Sequence, residues 1–133
     1  MSANEQSEPE VVALRPVLPA KDFGASLRFY TELGFRARRL GPPLASMHLG
    51  QFAFLLQAND DPTAAANLVM HLLVSDVGAW WARIAALGLA ARYGVQAPRA
   101  PTPEPWGLTV AYIWDPSGVL WHIAEEAPGG GQA

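Results

Sequence analysis

Cysteine is absent from the 133-residue chain. That excludes disulfides, thiolate metal sites and a cysteine nucleophile. Charge is sparse, at 16% of residues, with a formal net charge of −3. With an isoelectric point near 5.5, neither a nucleic acid nor an anionic membrane surface meets an opposite charge, so neither is expected as a partner. No apolar run approaches the roughly 20 residues of a transmembrane helix. A serine-hydrolase elbow of the form Gly-x-Ser-x-Gly is missing, and so is a phosphate-cradling glycine loop, since Gly129-Gly130-Gly131 falls in the terminal run APGGGQA. Residues 1–10 are acidic and polar, unlike a signal peptide, so a cytoplasmic protein is expected.

Half of the residues are hydrophobic, with 5 Trp, 5 Phe and 3 Tyr. Mean hydropathy is +0.10, which rules out wholesale disorder. This is enough for one domain with a proper core and too little for two. Residues 1–10 and 127–133 cannot bury enough to order themselves and are expected to be tails. One domain is expected over 11–126.

Within it the chain repeats itself. Val17-Leu18-Pro19-Ala20-Lys21-Asp22 is followed by FGASLRFYTEL and Gly34. His71-Leu72-Leu73-Val74-Ser75-Asp76 is followed by VGAWWARIAAL and Gly88, at an offset of 54 residues. Each copy predicts a buried strand, an Asp N-cap, a helix of about ten residues and a glycine stop. After the first helix, strands are expected at Phe35–Leu40, Leu44–Leu49 and Phe52–Gln57. After the second they are expected at Leu89–Val95, Leu108–Trp114 and Val119–Glu125. Asp115-Pro116-Ser117-Gly118 predicts a type I turn. The connection from Gly94 to Gly107 holds four prolines and is excluded as a central strand. The expectation is an α+β fold of two βαβββ modules, about 11–59 and 67–126.

The stretches Pro16–Asp22, Ser26–Tyr30, Leu33–Phe35, Leu73–Val77, Pro105–Gly107 and Asp115–Ile123, in this order and repeated, resemble the vicinal oxygen chelate superfamily. Glyoxalase I, extradiol dioxygenases and bleomycin-resistance proteins belong to it. The resemblance implies eight strands forming an open, barrel-like cavity, usually completed in a homodimer. It also implies four metal-ligand positions. Two fall here on Arg15 and Val69, a third on His122, and the last within Phe52–Leu56, which holds no donor. A catalytic metal needs about three protein ligands, so no metal and no cofactor is expected.

Four residues remain as candidates for binding a ligand. His122 stands at a ligand position on the expected cavity face, as ligand, base, hydrogen-bonding group or satisfied semi-buried histidine. His71 lies on the neighbouring strand, two residues from a ligand position, and reads as a cavity or core histidine. Arg15 is expected inward, paired with Glu125 or Glu126 or awaiting an anion, unless it reaches solvent at the strand's start. Trp106, in Pro105-Trp106-Gly107, reads as a stacking face on the groove rim or as a loop anchor. His48 sits on a strand of uncertain register, and a three-histidine site from His48, His71 and His122 matches no family offset. Trp121 is expected to face the second helix. No catalytic set emerges from spacing. The resemblance, closest to bleomycin-resistance-like members in which a Pro-Trp-Gly here rims the groove, implies a homodimer that sequesters a planar or peptide-like antibiotic or metabolite without metal. The alternatives are a glyoxalase- or dioxygenase-type enzyme with a non-standard metal site at His122 and His71, and a scaffold role.

Overall fold

The computed structural model describes residues 8–127. Of the tails expected over 1–10 and 127–133, residues 1–7 and 128–133 lie outside the described residues. Two four-stranded sheets, each carrying a helix, make up an α+β fold. The first module runs β1 (Val17–Ala20), α1 (Phe23–Leu33), β2 (Arg36–Gly41), β3 (Leu44–Leu49) and β4 (Phe52–Ala58). The second runs β5 (Val69–Leu73), α2 (Val77–Leu87), α3 (Leu89–Tyr93), β6 (Arg99–Pro103), β7 (Leu108–Trp114) and β8 (Leu120–Glu126). The strand orders, β1-β4-β3-β2 and β5-β8-β7-β6, are the same pattern twice.

The repeat survives in detail. Asp22 accepts from the Ala25 amide and Asp76 from the Ala79 amide, both at 3.0 Å. These carboxylates satisfy amides of the first turn that have no partner within the helix. Gly34 closes α1 at φ 121°. There a Cβ would meet the Arg83 guanidinium, which reaches across from α2 to donate to the Leu33 carbonyl at 3.0 Å.

One expected strand is wrong. Leu89–Val95 does not continue the sheet; its first five residues form α3. Leu89-Ala90-Ala91-Arg92-Tyr93 is rich in helix formers, and Gly88 and Gly94, at φ 62° and 67°, bracket a single turn. The missing strand, β6, lies inside the proline-rich connection instead. It is tolerated because β6 is the sheet's edge and pairs only with β7, with a register shift between Arg99 and Thr102.

The two helix-bearing faces share one core. Tyr30 from α1, Phe35, and Phe54 from β4 surround Trp121 from β8, with ring centroids 5.6–5.8 Å from it. Trp121, on the helix-bearing face of β8, thus also packs against the first module. Its indole N–H donates to the Tyr30 hydroxyl at 2.9 Å, which in turn donates to the buried Asp115 carboxylate at 2.6 Å. Asp115 also accepts from the amides of Ser117 and Val119, and the Asp115–Gly118 turn closes as expected. The opposite face of each sheet is left uncovered. Val17, Val69 and Leu73 each stand about half-exposed there.

Candidate ligand-binding site

The uncovered face of the second sheet gathers three of the four candidates. The register pairs His71 on β5 with His122 on β8, and His122 with Tyr112 on β7. Side chains directly opposite one another share a face, so these three form one row across the sheet. Beside them Val110 and Ala124, both fully buried, form an apolar floor.

Trp106 enters from the β6–β7 hairpin. Gly107 donates back to the Glu104 carbonyl at 3.0 Å, so Pro105 and Trp106 are the central residues of a turn. Pro105 presets φ at the first of these positions, and Gly107 carries φ 95°. The Trp106 ring, 52% exposed, lies with its centroid 5.9 Å from that of His122, tilted by 42°. Half-exposure shows that it is not tucked beneath the prolines. Tyr112 meets His122 edge-on at 5.2 Å and donates its hydroxyl to Glu104 at 2.8 Å. Tyr112 and Glu104 carry no signal in the sequence that would have found them. Only the pairing of β7 with β8 brings them to His122.

The two imidazoles face each other through Nδ1, 3.3 Å apart. Their centroids are 5.5 Å apart. The difference is about the span of two ring radii, so the Nδ1 atoms lie on the line joining the rings. A hydrogen bond between them needs one Nδ1 to donate and the other to accept, so the proton positions of the two rings are coupled. Burial pushes the His122 imidazole below the ordinary histidine range; nearby His71 adds to this and Glu104 opposes it.

Arg15 is not part of this row. It precedes β1, is exposed, and makes no ion pair among the described residues, where the single pair is Arg92–Glu32. Of the readings expected for Arg15, the inward pair with Glu125 or Glu126 is not formed, and the exposed position ahead of the strand is the one that fits. Glu125 instead accepts from the Val77 amide at 2.8 Å. His48 is also elsewhere, bonded to Ser46 on the first sheet at 2.8 Å. A second concavity of about 290 Å³ opens between the modules. It is lined by Phe35, Phe52, Phe54, Met70 and Trp121 among others, and shares only His71 with the row.

The family model of the Glyoxalase/Bleomycin resistance protein/Dioxygenase superfamily matches residues 12–123. The chain belongs to this superfamily. No curated protein matches it. Among solved structures, it is similar to a bleomycin-binding protein complexed with bleomycin, at 24% identity and a TM-score of 0.75, covering 88% of this chain and 100% of that one. It is also similar to the bleomycin-binding protein of bleomycin-producing Streptomyces verticillus complexed with copper(II)-bleomycin, at 21% identity and a TM-score of 0.74, covering 90% and 100%. A lactoylglutathione lyase from Agrobacterium tumefaciens follows the same fold, at 21% identity and a TM-score of 0.68, covering 88% and 95%. At these identities the likeness establishes the fold alone, and superfamily folds carry unrelated activities.

The metal implied by some superfamily members does not fit the residues present. Arg15 and Val69 offer no lone pair. The Nδ1 atoms of His122 and His71 engage each other. No cluster of three metal-binding side chains occurs among the described residues.

Proposed function

We propose that the protein is a cytoplasmic, metal-independent small-molecule-binding protein. It would hold a planar or peptide-like antibiotic or metabolite against Trp106, with His122 and His71 as its polar contacts. The carrying observation is the half-exposed Trp106 ring, fixed by a tight turn beside a histidine pair over an apolar floor. An indole held this way offers a flat face at little conformational cost. Structural likeness to two bleomycin-binding proteins supports the ligand class.

The test is a thermal-shift screen over glycopeptide, quinoline-type and β-lactam compounds, because a ligand that binds the native state raises Tm by mass action. For any hit, Trp106→Ala is expected to weaken binding by about tenfold to a hundredfold, the equivalent of about 1–3 kcal/mol. The Tm of the free protein should barely move, since a rim residue leaves no closed cavity. Unchanged affinity in a variant whose Tm falls would instead make Trp106 a structural anchor.

Chelation separates this reading from a metalloenzyme. EDTA is expected to leave Tm unchanged, because the donor set is incomplete. A fall of several degrees would show a bound ion that matters.

The same reading includes a homodimer. The helix-bearing faces are spent on one another, so the half-exposed Val17, Val69 and Leu73 have no cover within one chain. Val11, Val12 and Leu14, ahead of β1, are 81–94% exposed. A second copy covers such surfaces with its own equivalent ones. Light scattering at micromolar concentration is expected to give twice the chain mass; one chain per particle would contradict the assembly.

A further inference from the structure

The first sheet is electrostatically one-sided. Strands β1 to β4 contain no Asp or Glu, and β2 alone contains Arg36, Arg38 and Arg39. In a chain of net charge −3 this is a local reversal of sign. Arg39 stacks on Phe23 near α1. Arg36 and Arg38 take the other face. Met47 and Ala45 are buried in the core, so Ser46 and His48 alternate to the uncovered side. Arg36 sits directly opposite His48, and Arg38 opposite Ser46. The Ser46 hydroxyl is bonded to the His48 imidazole at 2.8 Å and is only 3% exposed. Across β4, His48 faces the small side chain of Ala53.

Two nearby carboxylates are committed elsewhere. Asp22 caps α1, and Glu32 is held by Arg92 at 2.6 Å and by the Tyr93 hydroxyl. Arg15, Arg36 and Arg38 thus make no ion pair among the described residues.

We propose that this face is an oxyanion site, in which Arg36, Arg38, His48 and Ser46 bind a phosphate or carboxylate group. Guanidinium forks match such groups bidentately, and the imidazole and hydroxyl supply further donors. The site shares no residue with the Trp106 row on the second sheet, and the anion titration reads it independently of that row. Charges on an edge strand also discourage pairing with other chains. That role is filled equally well by lysine and makes no use of Ser46 or His48.

The experiment uses this difference. The full chain is titrated with inorganic phosphate, and separately with phenyl phosphate, at ionic strength held constant with sodium chloride. The ring signals of its three histidines are followed by NMR. His48 is expected to shift saturably while His71 and His122 stay in place. The double variant R36K/R38K is expected to weaken binding by about tenfold or more with the phosphate-free Tm unchanged. The variant S46A, which leaves both arginines, is expected to weaken it as well. Tighter binding of phenyl phosphate assigns the anion to an organic ligand, and equal binding assigns it to a free ion; both support the site. A non-saturable response, equal affinity in R36K/R38K, or a shift confined to His122 overturns it.

Discussion

Asp115→Ala is expected to destabilise the protein by about 3–5 kcal/mol, measured by urea denaturation at neutral pH. The carboxylate accepts from three buried or half-buried donors: the Tyr30 hydroxyl at 2.6 Å and the amides of Ser117 and Val119 at 2.8 and 2.9 Å. Alanine leaves all three without that acceptor. Each buried donor left unpaired costs about 1–3 kcal/mol. A loss below about 1 kcal/mol would mean that water takes the place of the carboxylate and that the network is not an essential tie between modules.

Asp115→Asn adds a sign to the test. Burial pushes the Asp115 carboxyl above the usual carboxylate range, while its bonds from Tyr30 and the turn amides pull the other way. A raised folded value means that the native state holds this proton more tightly than the unfolded chain. Its contribution to stability is complete below the unfolded value and is lost as pH rises through the folded one. Glu32 and Asp61, both held below their usual values by hydrogen bonds, have the opposite sign, and their contributions are lost as pH falls. Those two are common to wild type and variant. The difference between the two stability curves therefore isolates Asp115. Wild type should lose stability relative to Asp115→Asn as pH climbs from the unfolded carboxylate range. Parallel curves would contradict the shift.

These residues also show where sequence reasoning stops. The Asp-Pro-x-Gly signal identified a turn at Asp115, and the turn is there. That its carboxylate reaches a tyrosine 85 residues away depends on how the modules dock, which local spacing does not encode. The caps at Asp22 and Asp76 were legible because capping is local. The helix at Leu89–Tyr93 was misread as part of a strand because a short, mostly apolar stretch fits a strand or a helical turn equally well. At the site, His71 and His122 were visible through alternation along their strands. Tyr112 and Glu104 were not, because only cross-strand register brings them there. For Arg15 the alternation left an inward and a solvent-reaching reading open, and the start of the strand at Val17 favours the second.

The same dependence on docking makes Trp121 the most sensitive apolar position. Trp121→Ala is expected to cost about 3–5 kcal/mol, a fall in Tm on the order of 10–20 °C for a chain of this size. The ring is 3% exposed and lies against Tyr30, Phe35 and Phe54, all from the first module. Removing it opens a cavity where the modules meet and strips the Tyr30 hydroxyl of its indole donor. Trp121→Phe separates these effects, because it keeps an aromatic ring and loses the N–H. It should fall between wild type and alanine. The contrast with Trp106→Ala is the sharper check, since the two tryptophans differ chiefly in burial, 3% against 52% exposed. Native-state hydrogen exchange on Trp121→Ala should show lost protection in β3 and β4 as well as in β7 and β8. Loss confined to the second module would mean that each βαβββ unit holds its own core and that the shared aromatic cluster contributes little to joining them.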